Sequence, residues 1–212
     1  MSDLDGPSRR QLWDERHAGH DPIESRQPDP SLATVAGPLA PGRALDLAAG
    51  DGRNAIWLAE RGWRVTAVDF STVALARAGA AAAAADVVVD WVNADLLEWH
   101  SAAHWFDLVA VMFLHLPADE RRAVYAKAAA AVAPGGRLVV VGHDRTNLTL
   151  GAGGPRDPGV LFTPDEIAAD LAGFTIERAG TVRRDVGGDT AAIDAVVVAI
   201  RTPQQPQEIA AS

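Results

Sequence analysis

From residue 43 onward, short apolar runs alternate with longer runs of helix-forming residues, and this alternation restricts the fold more than any other feature of the chain. The runs at 43–48, 64–69, 87–92, 106–113 and 137–142 are short and unbroken, without the polar alternation of a half-solvated strand. A strand apolar on both sides has to be covered on both sides, so these runs read as parallel strands joined by crossover helices. Helix ends are written between them: 53–61 stops at Gly62, and 118–132 lies between Pro117 and Pro134. Thr163, Pro164 and Glu166 form a capping box with proline at the first helical position, ahead of Ile167 and Leu171. The alanine-rich tract 78–85 reads as the solvent-side end of a helix, because alanine is the best helix former. Two further apolar runs, 174–182 and 193–200, have Gly187 and Gly188 between them, the pattern of an antiparallel hairpin. The expected fold is α/β: a doubly wound, seven-stranded, mostly parallel sheet with a C-terminal antiparallel hairpin.

The 212 residues suit one domain at 41–202, preceded by a proline-rich appendage at 1–40 and followed by a flexible tail at 203–212. The appendage carries one helical stretch, 9–18. Nineteen basic against 28 acidic residues leave a net charge of −9, which opposes a sequence-independent grip on a phosphate backbone and argues against a nucleic-acid partner. No apolar run approaches the roughly 20 residues that cross a bilayer, so no membrane association is expected. The absence of cysteine excludes disulfides, thiolate metal sites and a cysteine nucleophile, and no metal is expected. The first residues lack the apolar core of a secretion signal, so the expected compartment is the cytoplasm.

The chemistry concentrates in residues 44–71, ALDLAAGDGRNAIWLAERGWRVTAVDFS: a strand, a glycine loop, a helix and a second strand ending at Asp69. Gly50-x-Gly52-x-x-Ala55 matches the dinucleotide-binding fingerprint, and Asp69 is positioned to accept hydrogen bonds from ribose hydroxyls. Charge separates the two ligand classes that use such a loop. Asp46 ends the first strand and Asp51 lies between the glycines, so a pyrophosphate would meet like charge while a sulfonium bearing an ammonium would not. The glycines permit positive φ and close approach of the main chain to the ligand. The helix from Arg53 aims free amides at the loop, and Asn54 adds a side-chain donor. Asp95 follows the third strand and is placed for an adenine amino group, or alternatively to cap a helix; for Asp69 the capping alternative is weaker because Ser71 is the better cap. Asp46, Asp69 and Asp95 converge on the crevice beyond the carboxyl ends of the strands.

These motifs, in this order, resemble those of the class I S-adenosylmethionine-dependent methyltransferases, over residues 43–201. Asp46-Leu-Ala48-Ala-Gly50-Asp-Gly52 is similar to the family's acidic glycine loop, with Ala48 in place of its first glycine. Asp69 resembles the ribose-binding acid and Ala94-Asp95-Leu96 the adenine-contacting segment, while 106–109 and 133–136 resemble the fourth-strand motif and the turn before strand five. The segment 52–63 and the pair Trp13 and Arg16 are similar to the small-molecule branch that contains tellurite-resistance and thiopurine methyltransferases. The resemblance implies a Rossmann-like methyltransferase fold, S-adenosylmethionine as cofactor, a small-molecule substrate, and a cofactor site of Asp46, Ala48, Gly50, Gly52, Asn54, Asp69, Phe70, Ala94, Asp95, Leu96 and Met112.

Methyl transfer from a sulfonium is a direct displacement, so the protein chiefly aligns the partners and excludes water; a hydroxyl or protonated amine additionally requires a proton acceptor. His115, just past strand four, and His143, just past strand five beside Asp144, are the candidate catalytic groups, with His143 first. Packing or orientation is the alternative for His115, and a loop anchor the alternative for His143 with Asp144. Where amino-methylating relatives carry an Asn/Asp-Pro-Pro-aromatic motif, this chain has Met112-Phe113-Leu114-His115, which argues against nucleic-acid and protein amide methylation. The glycine- and proline-rich stretch 147–159 and the N-terminal segment with Trp13 and Arg16 are candidate lids; the alternatives are a disordered loop and a hydrophobic anchor. Two other functions fit part of the pattern: an NAD-dependent oxidoreductase on the literal glycine match, and a non-catalytic S-adenosylmethionine-binding protein.

Overall fold

The computed structural model describes residues 9–19, 27–187 and 190–203. In chain order its elements are α1 (Arg9–Ala18), α2 (Pro30–Ala36), β1 (Arg43–Leu47), α3 (Arg53–Ala59), β2 (Arg64–Asp69), α4 (Thr72–Ala84), β3 (Asp90–Asn93), β4 (Phe106–Met112), α5 (Ala118–Ala131) and β5 (Val132–His143). They continue with α6 (Asn147–Leu150), a 3-10 turn (Pro158–Val160), α7 (Pro164–Ala169), β6 (Phe174–Asp185) and β7 (Ala191–Arg201). The seven strands form one sheet in the order β3-β2-β1-β4-β5-β7-β6. The first five are mutually parallel, and β7 enters antiparallel between β5 and β6.

Why the central runs are unbroken is visible in the two halves of the core. Leu45, Leu47, Val109, Val111, Leu138 and Val140 face one side, where Val124 and Tyr125 of α5 cover them. Ala44, Leu108, Ala110, Val139 and Val141 face the other, under Leu32 of α2 and Trp57 and Leu58 of α3. Successive strand residues point to opposite faces, so covering both faces demands an apolar residue at nearly every position.

Several boundaries differ from the sequence-based expectation, each for a packing reason. The third strand begins at Asp90 rather than 87, and Val88 is 90% exposed. The fifth begins earlier, at Val132, because that residue pairs with Phe106 beyond an irregularity in the ladder. The alanine tract is not a plain solvent-side end: Ala74, Ala78 and Ala82, spaced four apart, are buried along one face of α4. Among the described residues the segment before β1 holds two helices, and α2 buries Leu32 and Ala36 in the core under an Asp29 cap whose side chain accepts from the amides of Ser31 and Leu32. The capping box of α7 forms as written, and Ser71 caps α4. The tail from 204 and the center of the hairpin turn, 188–189, lie outside the described residues. Among the described residues no helix is long and apolar enough to cross a membrane.

Candidate active site

Strand order reverses between β1 and β4, and at the carboxyl ends of these strands and their neighbours lies a cleft of about 620 Å3. Ala48, Gly50, Asp69, Phe70, Ala94, Asp95, Leu96 and Met112 line it, as do Trp13, His115 and His143. Asp46, Gly52 and Asn54, expected beside them, are not among the lining residues.

The loop after β1 explains part of this division. Gly50 has φ +53, and a side chain built there would meet only a ring carbon of His17 at 3.6 Å, so its backbone is open toward the cleft. Gly52 has φ +79, but a Cβ there would lie 2.5 Å from the Trp91 ring and 2.9 Å from Ala78 Cβ. Its role is therefore close packing of the loop on β3 and α4 rather than approach to a ligand. Ala48, standing where the resembling family has glycine, is held at φ 60, a left-handed conformation that costs an L-residue about 1–2 kcal/mol. Asn54 is turned to the N-terminal segment and accepts the Asp29 amide at 2.8 Å.

The acids divide likewise. Asp69 is buried and accepts the Gly50 amide on one oxygen and the Ser71 amide on the other, both at 2.8 Å, which fixes its carboxylate against the loop and leaves further lone pairs on the cleft side. Asp95 accepts the Leu97 amide at 2.9 Å in a turn with no helix after it, so it is not a helix cap, and it lines the cleft. Asp51 is not among the lining residues and has His17 Nδ1 at 3.2 Å and Arg77 Nε at 3.8 Å. Asp46 is fully buried with neither carboxylate oxygen hydrogen-bonded. Burial, with a smaller push from Asp69, raises its pKa to about 7 against the opposing charge of Arg53. Such a carboxyl is short of a cation.

Arg9, Trp13 and His17 recur every four residues on α1, share one face, and line the cleft. The helix is tied down by Asp14 on Ser71 Oγ at 2.5 Å, by Arg77 on the His17 carbonyl, and by Arg9 on Glu120 at 2.7 Å. Three of its side chains thus border the cleft; Arg16 lies on the helix, with its side chain outside what is described. At the opposite end, Gly154, Pro155 and Val160 line the cleft, so the stretch 147–159 is a structured wall containing α6.

The two histidines meet beneath that wall. His115 Nε2 accepts the His143 amide at 3.1 Å, and the rings stack at 5.2 Å between centroids. Burial, then the neighbouring His143, holds the His115 pKa down to about 4, so it is a neutral acceptor bridging the ends of β4 and β5. His143 does not use Asp144, which accepts from the amide and hydroxyl of Thr146 instead. Its Nδ1 lies 3.0 Å from Asp194 Oδ1 on β7. Asp194 in turn receives Arg184 Nε at 2.6 Å. Sequence reading missed Asp194 and Arg184; the available signal was a lone carboxylate inside the apolar strand IDAVVVAI, since a charge in such a strand requires a buried partner. Phe113, at φ 55 after β4, packs its ring 5.4 Å from His143, a strained aromatic at the same end of the cleft. Among the described residues no cluster of three or more His, Asp and Glu is placed to hold a metal ion.

Residues 44–136 match the family model described as a methyltransferase domain. The chain carries a methyltransferase domain. This methyltransferase is 25% identical to an S-adenosylmethionine-dependent methyltransferase from Mesorhizobium loti, with a TM-score of 0.65 over 81% of this chain and 96% of that one. It shares its fold with a protein solved in a study of the conversion of a disulfide bond into a thioacetal group during echinomycin biosynthesis, at TM-score 0.71 and 22% identity over 93% and 94% of the two chains. TehB from Haemophilus influenzae is similar at TM-score 0.70 and 16% identity, over 81% of this methyltransferase and 62% of that chain. No curated protein sequence matches it.

Proposed function

We propose that the methyltransferase acts on a small-molecule acceptor by direct displacement, with His143 taking the acceptor's proton. The supporting observation is a single cleft that joins the donor-side residues Gly50, Asp69 and Asp95 to His143, with α1 across it. On this reading Asp69 accepts from the ribose hydroxyls with lone pairs not used by Gly50 and Ser71, and Asp95 faces the adenine. Asp46, buried with both oxygens orphaned, supplies negative potential beneath the loop where a cationic amino-acid group sits. The bound donor contributes a methyl group on a sulfonium, a good leaving group. Trp13 and α1 exclude water, and the apolar Phe113, Leu114 and Leu116 orient the acceptor. The net charge of −9 supports a small acceptor over nucleic acid.

The test is calorimetry with S-adenosylhomocysteine against NAD, followed by labelled donor with thiols, selenite, phenols and amines. Binding of S-adenosylhomocysteine and labelled product from one acceptor class is the expected result. Binding of NAD alone overturns the donor assignment, and donor binding without product from any acceptor favours a non-catalytic binding protein.

A further inference from the structure

We infer that Asp194 and Arg184, on the C-terminal hairpin, are positioning residues that orient His143 as proton acceptor, and that the acceptor is therefore a nucleophile that carries a proton at neutral pH, such as a hydroxyl. The inference rests on the reading that His143 takes the acceptor's proton. Asp194 stands directly across from His143 in the antiparallel register of β5 and β7, which brings its Oδ1 to 3.0 Å from His143 Nδ1. Nδ1 is buried, at contact distance from Asp194 but outside hydrogen-bond geometry, and His143 lines the cleft beside Gly154. Gly154 packs there: a Cβ on it would fall 2.4 Å from Cδ2 and 2.7 Å from Nε2, and its φ of +77 also favours glycine.

A carboxylate 1% exposed is expensive to ionise without compensation, and Arg184 supplies it with Nε at 2.6 Å and Nη2 at 3.4 Å. Burial pushes the Asp194 carboxyl up, but the contacts with His143 and Arg184 outweigh it and hold it below its ordinary value. Other ionisable groups around the ring do not supplant this pairing. His115 is neutral and accepts the His143 amide, Arg121 of α5 opposes protonation of His115, and Asp144 is engaged by Thr146. An arrangement of this kind has no use for an acceptor that is already an anion. For an acceptor X–H, the lone pair of X attacks the methyl carbon and the carbon–sulfur bond breaks with its electrons going to sulfur. The X–H proton passes to Nε2, and the positive charge moves from the sulfonium to an imidazolium beside Asp194.

Nitrogen-15 histidine spectra, recorded against pH on the full chain alone and with S-adenosylhomocysteine, test this without knowledge of the acceptor. The neutral His143 ring should carry its proton on Nδ1 and leave Nε2 bare. Asp194→Asn should mix the tautomers, with Asp194→Glu restoring the first form in part, while S-adenosylhomocysteine affinity changes less than twofold. A wild-type ring protonated on Nε2 overturns the inference whether or not any variant folds, as does an Asp194→Asn spectrum identical to wild type. A tenfold loss of S-adenosylhomocysteine affinity in that variant assigns Asp194 to the donor side and overturns it equally. If the wild type binds no S-adenosylhomocysteine, the methyl-transfer reading fails instead, a result separate from the tautomer.

Discussion

Donor binding should expel a proton, and Asp46 is where it comes from. The free protein holds this carboxyl at a pKa of about 7, so at pH 7 it is about half protonated. A cationic ligand group near the loop favours the ionised form. A return of the pKa to about 5 would release roughly half a proton per site at pH 7 and about four-fifths at pH 6, and would couple about 3 kcal/mol of binding to ionisation. Titration calorimetry with S-adenosylhomocysteine in phosphate and in Tris reads the released proton as a difference in apparent enthalpy, larger at pH 6 than at pH 7. Asp46→Asn should erase that difference. Equal enthalpies in the two buffers, or a wild-type difference surviving in Asp46→Asn, would refute the reasoning. The same carboxyl makes the unliganded fold sensitive to pH. Its ordinary value is 3.8, so between about 4 and 7 the folded chain retains a proton that the unfolded chain has lost. Stability is greatest below that window and falls by roughly 4 kcal/mol as pH rises through it. Asp46→Asn should recover most of that loss at pH 8 and little at pH 4, measured by chemical denaturation.

Three further outcomes follow from the same structure. Asp69→Ala should weaken S-adenosylhomocysteine binding by about 1–3 kcal/mol in calorimetry, whereas His143→Ala should leave it nearly unchanged; loss of binding in the second variant would contradict the role given to His143. Gly52→Ala forces a methyl group into Trp91 and Ala78 at a left-handed position, and scanning calorimetry should register about 2–4 kcal/mol of destabilisation, against less than 1 kcal/mol for Gly79→Ala, where the space is open. The His115 ring should show no titration in proton spectra between pH 5 and 8, because its pKa lies near 4; the unfolded chain takes that proton near 6.5, so this residue removes roughly 3 kcal/mol of stability as pH falls from 6.5 to 4.

What the sequence disclosed was whatever local chemistry decides. Apolar runs located all seven strands, Thr163 and Glu166 wrote their capping box, and Ser71 proved the better cap beside Asp69. Asp69 and Asp95 converged on the cleft because parallel strands all deliver their carboxyl ends to one side, whereas Asp46 stays buried behind it. Side-chain partnerships were legible only when close in sequence, and several mattered at long range. Asp51 is claimed by His17 and Arg77, Asn54 by Asp29, and Gly52 by Trp91. His143 turns from its neighbour Asp144 to Asp194, fifty-one positions on, because strand pairing rather than adjacency sets what an imidazole faces. The alanine tract misled for a related reason: helix propensity describes the backbone and is blind to the close approach that small side chains permit on α4.

The match to the methyltransferase family stops at residue 136, before His143, Gly154, Arg184 and Asp194 have appeared in the chain. The residues that flank His143, Gly154 and Asp194 with its partner Arg184, are therefore added after the matched stretch. Because β7 slots between β5 and β6 rather than at the border, any residue exchanged along it is presented to the end of β5 at a fixed spacing. On the proposed reading, exchanges along this antiparallel ribbon alter the surroundings of His143 while leaving Gly50, Asp69 and Asp95 in place.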